Sequence, residues 1–217
     1  IVAADAPQPI PFGKIRNSNL YTLDAAVRRM GCSTRDLGVA SDDVTQIREG
    51  ILDGLARCDI VLITGGVSVG DYDLTPRAME LAGVSILAHG VAMKPGMACA
   101  YGIKEGKLVC GLSGNPDSSL TNFYAVVQPA IRKLCGMRQV LPVEFPMVLE
   151  NGFHKKSPST RLLRGTIDIS NGTVRFHLQG DQGNVVLSSA VGCDAIAVVP
   201  AGSEPLPAGT ALHGFLL

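Results

Sequence analysis

The chain has 217 residues, 46% hydrophobic and 18% charged, which suits a globular protein with a substantial core. Nineteen basic residues balance nineteen acidic ones, so no overall field draws in nucleic acid or an anionic membrane. No apolar run approaches the ~18 residues of a membrane span and no signal peptide is legible at the start, so a cytoplasmic protein is expected.

Residues 1–16 read as loop, broken by Pro7, Pro9 and Pro11. From Asn17 a helix is predicted, with Leu20, Leu23, Ala26, Val27 and Met30 on one face and Gly31 closing it. Residues 32–39 read as a strand. Ser41, Asp42 and Asp43 then supply caps for a helix whose apolar face is Val44, Ile47, Ile51, Leu52 and Leu55. DIVLIT (59–64) is a short run rich in Ile and Val, the pattern of a buried parallel strand. It empties into GGVSVGDYD (65–73), then a helix over 75–81 ended by Gly83. Strands follow at 84–91, 98–103 and 107–112, the last two joined by a turn at Glu105 and Gly106. SGNP (113–116) opens a long helix to Leu134, with Pro116 near its first turn.

After Gly136 helical periodicity ends. Asn171 and Gly172 separate two alternating segments, 166–170 and 173–178, a hairpin signal of the two-residue type. Further strands are predicted at 195–199 and 211–217. The fold expected is α/β: a three-layer, mostly parallel sheet domain over 1–141, followed by a small all-β, barrel-like domain over 142–217. Six scattered cysteines, with no C-x-x-C pair and no histidine at metal spacing, predict reduced, mostly buried thiols and no disulfide frame.

Three stretches follow strands, as one shared site requires: GGVSVGDYD (65–73), HGVAMKPG (89–96) and GLSGNPDS (111–118). In the first, Gly65, Gly66 and Gly70 let backbone N–H groups approach a ligand, and Asp71 and Asp73 add paired carboxylates. Such a row suits a phosphorylated ligand carrying a divalent cation. The plainer alternative is a turn in which Asp71 or Asp73 caps the next helix.

In this order, and with IRNSNLY (15–21) and the β tail, these stretches resemble the C-terminal half of the molybdopterin molybdenumtransferases, the family that includes the gephyrin E domain. The resemblance covers essentially the whole chain. It implies insertion of molybdate into adenylylated molybdopterin with release of AMP, a divalent cation such as Mg2+, and a homodimer with the site between protomers. It implies that Gly65, Gly66, Ser68 and Gly70 hold the pterin phosphate or phosphoanhydride, with Asp71 and Asp73 as catalytic and metal residues. Lys94, beside Pro95, would neutralise anionic oxygens, or else be a solvated lysine. Gly114, Asn115 and Ser118 would form a second anion site, with simple N-capping the alternative for Asn115. Arg164, Ser188 and Ser189 would complete an oxyanion cleft, or be a surface arginine and a serine turn.

Departures accompany the likeness. The family's second lysine after Lys-Pro-Gly is absent here, where Met97 and Ala98 stand. Asp117 occupies a usually small apolar position. Arg161 falls where the family carries an acid, and only Arg164 matches cleanly. The family's Thr-Gly-Asp-Glu segment would lie just before Ile1, and with it a first strand of the sheet, so a partial chain is expected.

Three other readings compete. Gly66-x-Ser68-x-Gly70 follows a strand like a serine hydrolase elbow, but the helix due at once after the serine is postponed. A non-catalytic molybdopterin-binding or partner-docking module accounts for the substitutions. A molybdopterin adenylyltransferase would share the first domain but not the β tail.

Overall fold

A computed structural model describes the chain at every residue except 4, 69–72, 181 and 183–189. The first unit runs α1 (Asn19–Arg29), α2 (Val44–Arg57), β1 (Ile60–Thr64), α3 (Thr75–Leu81), β2 (Ser85–His89), β3 (Met93–Lys94), β4 (Cys99–Lys104) and β5 (Lys107–Leu112). It ends in one long helix: α4 (Pro116–Asn122), a π-helical turn (Phe123–Val127) and α5 (Gln128–Leu134). Its sheet has the order β1-β5-β4-β2.

The sheet is mixed, which corrects the mostly parallel expectation. Only β1 and β5 run parallel, while β5–β4 and β4–β2 are antiparallel. The reason lies in connection length. A parallel crossover needs a dozen or more residues, whereas β4 meets β5 across the turn at Glu105 and Gly106, and 90–98 joins β2 to β4.

Helices cover both faces. Ile51 and Leu55 of α2 and Ala78 and Met79 of α3 pack on Val61, Ala100 and Val109. Leu23 of α1 and Phe123, Val127 and Ile131 of the long helix pack on Cys99, Tyr101, Cys110 and Leu112. Successive strand residues therefore enter opposite cores, which is why the strands read as unbroken apolar runs. The Asp43 carboxylate caps α2, accepting from the N–H groups of Thr45 and Gln46 at 2.8 and 2.9 Å. Residues 32–39, expected as a strand, are irregular, with Leu37 and Val39 exposed. They pair with no strand, and a strand without a ladder partner has nothing to fix it.

The π turn has a local cause. Pro129 has no N–H to donate, and its ring crowds the carbonyl four residues earlier. The ladder widens there, and the Gln128 N–H reaches back to the Phe123 carbonyl. One wide turn thus lets the helix pass through a proline without stopping.

The second unit contains β6 (Phe145–Leu149), β7 (Thr160–Ser170), β8 (Thr173–Leu178), β9 (Ala195–Val199) and β10 (Ala211–Leu216). Their order β7-β8-β6-β10-β9, with β9 returning to β7, closes a five-stranded barrel. Asn171 and Gly172, at φ 50° and 75°, form the hairpin turn between β7 and β8. Met147, Leu149, Leu163, Phe176, Ala197 and Val199 fill the interior. A Cβ at Gly165 would overlap the His177 carbonyl oxygen, so β7 passes close under β8 there.

Among the described residues, several ties join the units, one of them the Arg29 guanidinium donating to the Leu217 carbonyl at 3.3 Å. β3 adds in parallel to β7, setting Met93 opposite Thr160 and Lys94 opposite Arg161. Leu162, Ile196 and Phe215 on the barrel form an apolar cluster with Tyr124 and Ala125 of the π turn and with Met93. A buried ion pair between Asp117 and Arg164 also crosses the boundary.

Candidate functional site

The first motif leaves β1 and turns back on itself. The Gly65 N–H donates to the Leu112 carbonyl at 2.8 Å, so it belongs to the sheet rather than to a ligand. Thr75 secures the other side: its hydroxyl donates to the Gly65 carbonyl and its N–H to the Gly66 carbonyl, both at 2.9 Å. Gly66 sits at φ 63°, and a Cβ there would come within 2.9 Å of the Thr75 hydroxyl. The N-cap position of α3 is Leu74, without a side-chain bond. Ser68 is exposed and Asp73 half-buried.

The third motif arrives beside the first. A Cβ on Gly114 would lie 3.5 Å from the Gly65 Cα, so the two backbones pass in near contact. The Asn19 Nδ2 donates to the Gly114 carbonyl at 3.0 Å. Around this junction lies a cavity of about 150 Å³, lined by Arg16, Asn17, Ser18 and Asn19 on one side and by Thr64, Gly65, Gly114 and Pro116 on the other. Asn19 is 7% exposed, and its Oδ1 has no hydrogen-bond partner among the described residues. A buried acceptor left open at a cavity wall invites a donor from a ligand or water.

Asn115 is the N-cap of α4, its Oδ1 accepting from the Asp117 N–H at 3.2 Å. Capping therefore occupies at least one side-chain acceptor position. Ser118 is buried, and its carbonyl accepts from the Asn122 Nδ2 at 3.1 Å. Asn122 also donates to the Gly96 carbonyl at 2.9 Å and accepts from the Tyr101 hydroxyl at 2.6 Å. This one amide clamps the second motif to the helix that follows the third. The Lys94–Pro95 peptide bond there is cis. Pro95 is buried, whereas Lys94 is exposed on the edge of the barrel sheet.

Arg164 is 3% exposed and forms an ion pair with Asp117, itself fully buried at the start of α4. Burial raises the Asp117 carboxyl above its ordinary value, against the pull of the guanidinium. Arg164 is thus a partner of Asp117, not the surface strand arginine of the plainer expectation. The unusual carboxylate at 117 has its counter-charge across the unit boundary. Arg161 is also buried, stacked 5.0 Å above the Phe153 ring, and burial lowers its pKa.

Comparison with known proteins follows this layout. Residues 10–133 match the family described as a probable molybdopterin binding domain, more than half of the chain. The chain belongs to that family. Residues 146–213 match the MoeA C-terminal region, domain IV. A molybdopterin molybdenumtransferase of Staphylococcus aureus is 33% identical over 207 residues, 94% of this chain and 49% of the relative. One from Staphylococcus epidermidis is 32% identical over 197 residues, 91% of this chain and 47% of the relative. The chain thus spans about half the length of these curated relatives. Among solved structures, the molybdopterin biosynthesis moeA protein from Pyrococcus horikoshii superposes with a TM-score of 0.73 at 26% identity, over 95% of this chain and 51% of that one. A molybdenum cofactor biosynthesis protein from Pyrococcus furiosus gives 0.71 at 26% identity, over 92% and 64%.

Within the molybdopterin-binding family's frame, the first and third motifs meet at the cavity, and the second reaches them through Asn122. Gly70, Asp71, Ser188 and Ser189 lie outside the described residues. Of the expected cation ligands only Asp73 is described, and no cluster of three or more His, Cys, Asp or Glu groups suited to a metal occurs among the described residues. Mg2+ takes one or two carboxylates together with substrate phosphates, a set in which a carboxylate such as Asp73 is a fitting ligand. Asn17, Ser18 and Asn19 were not among the expected site residues. Their signal was present in IRNSNLY (15–21), but a polar stretch opening a helix reads first as a cap. No helix among the described residues is long and apolar enough to cross a membrane.

Proposed function

We propose that this chain forms the ligand-binding half of a molybdopterin molybdenumtransferase, which inserts molybdate into adenylylated molybdopterin and releases AMP. The observation that carries the reading is the 150 Å³ cavity at the carboxyl ends of β1 and β5, where open α/β sheets receive ligands. In this reading Asn19 Oδ1 accepts from a pterin N–H, and the Gly65 and Gly114 backbones give the ring close approach. Lys94 faces the oxyanion, which carries negative charge and needs cationic or N–H partners. Asp71 and Asp73 are assigned to Mg2+, and the protein to a cytoplasmic homodimer with the site between protomers. The chain divides into a molybdopterin-binding unit at 1–141 and the barrel unit at 142–217.

The test is titration of adenylylated molybdopterin against the wild type, Asn19→Ala and Gly66→Val. Loss of one buried hydrogen bond weakens binding about tenfold in the first variant, and the collapsed loop abolishes it in the second. Equal affinities in all three proteins would move the site elsewhere. A second reading, a binding module without turnover, draws support from Arg164, whose charge is paired with Asp117. It predicts undiminished pterin binding with no AMP released when molybdate and Mg2+ are added to a full-length protein containing this chain.

A further inference from the structure

Arg161 is a cation that the fold buries without a counter-charge. It is 8% exposed, and its Nε is enclosed with no hydrogen-bond partner. Among the described residues it forms no ion pair, whereas Arg164, three positions on, has Asp117. The Phe153 ring gives it a wall, not an acid. Its neighbour is a second cation. β3 sets Lys94 in register with Arg161, so the two side chains leave the same face of the sheet, and Lys94 has no ion pair among the described residues either. Like charges directly opposite each other are destabilising, and a buried charge is costly unless paired. Both cations are nevertheless held in place. Val199 of β9 flanks Arg161 on its other side, and Phe153 is fixed by paired backbone bonds to Leu206 at 2.7 and 2.8 Å. Asn122 holds the carbonyl of Gly96, two residues beyond Lys94. Such an arrangement is complete only when an anion arrives from outside, and its fixed groups lose little freedom when one does.

We propose that Arg161 and Lys94 together seat a tetrahedral dianion, molybdate or a substrate phosphate, where β3 meets the barrel. The inference rests on the proposed placing of Lys94 at the oxyanion and adds Arg161 as the group that selects for double charge. The guanidinium offers N–H donors in a planar fork, and the ammonium adds a mobile point charge. A dianion gains about twice as much from this pair as a monoanion of the same shape, because the attraction scales with charge.

The experiment is equilibrium dialysis of molybdate, and of perrhenate as a tetrahedral monoanion, against the full-length protein containing this chain. The variants are Lys94→Ala, Arg161→Leu and Arg161→Lys. The wild type binds molybdate about tenfold or more tighter than perrhenate. Arg161→Leu loses about tenfold in molybdate affinity and most of that preference, and Arg161→Lys restores the preference. Without anion, Arg161→Leu melts no lower than the wild type, since an unpaired buried charge has gone. Molybdate raises Tm in the wild type and not in Arg161→Leu. AMP that displaces molybdate assigns the pair to a phosphate, and AMP bound alongside it assigns the pair to molybdate; either result supports the dianion seat. An Arg161→Leu protein with wild-type affinity and preference, or one destabilised in the absence of anion, would overturn the inference. If Lys94→Ala alone then weakens molybdate binding, the placing of Lys94 survives. A wild type that shows the preference yet fails to bind adenylylated molybdopterin would keep the anion seat and remove the functional reading.

Discussion

The Asp117–Arg164 pair makes the sharpest quantitative demand on the fold. Both side chains are almost wholly buried, at 0% and 4% exposure, so each charge has left water because the other is there. Replacing Asp117 with Val keeps a similar volume but takes the Asp117 counter-charge away from the guanidinium at the boundary between helix and barrel. Breaking a buried pair from one side costs about 3–5 kcal/mol. With a urea dependence of about 2–3 kcal/mol per molar for a chain of this size, the unfolding midpoint falls by about 1–2 M. Arg164→Met does comparable damage, because it leaves a carboxylate unpaired. The double variant replaces both charges with apolar groups and recovers to within about 1 kcal/mol of the wild type. The assay is urea unfolding of the four proteins, followed by far-UV circular dichroism as a double-mutant cycle. Additive single effects, or an Asp117→Val protein as stable as the wild type, would refute the claim that this pair stitches the units together.

Two further outcomes are expected. Gly96 sits at φ 104°, and a Cβ there would lie 2.7 Å from the Asn122 Nδ2 and 2.9 Å from the Met93 Cε. Gly96→Ala therefore costs about 2 kcal/mol or more and loosens the Lys94 loop, read as a lower thermal midpoint and faster hydrogen exchange over 93–98; unchanged exchange would remove the clamp from the argument. Burial pushes the Cys110 thiol up to about 12 and also raises the neighbouring Tyr101 hydroxyl. Folded values above unfolded ones give stability that is present below the ordinary thiol value near 9 and lost as pH rises toward 12. Urea midpoints measured from pH 8 to 11 therefore fall, and fall less steeply in Cys110→Ala; parallel slopes would exonerate the thiol.

Much of the fold was legible because local chemistry and tertiary demand agree. The Asp43 cap, Pro116 in the first turn of α4 and the Asn171–Gly172 hairpin are signals written in adjacent residues. Where reading failed, the information lay elsewhere in the chain. β7 begins at Thr160 rather than 166, because residues 161–165 are all buried and show no alternation. β6 went unread because Pro146 looks like a breaker. β3 is two residues long and exists only because the barrel offers β7 an edge. The cysteines were expected to be mostly buried, yet two are buried, three half-buried and one exposed. At the candidate site, sequence brought forward the glycines and Lys94. The pairing of Asp117 with Arg164 depends on a contact between distant segments, which spacing does not encode.

The π turn between α4 and α5 acts as a phase shifter. An α-helix advances about 100° per residue, so one surplus residue in a turn rotates everything on one side of it relative to the other. Upstream of the turn, Asp117 and Asn122 face the barrel and the Lys94 loop; downstream, Ile131 faces the sheet. Closing this turn to regular α-helical spacing without losing a residue would leave a smoother helix with its two halves swung out of step by about a quarter of a revolution. Either the carboxylate would miss its arginine or the isoleucine would miss its core. The irregular turn lets one rod serve two partners that lie in different directions.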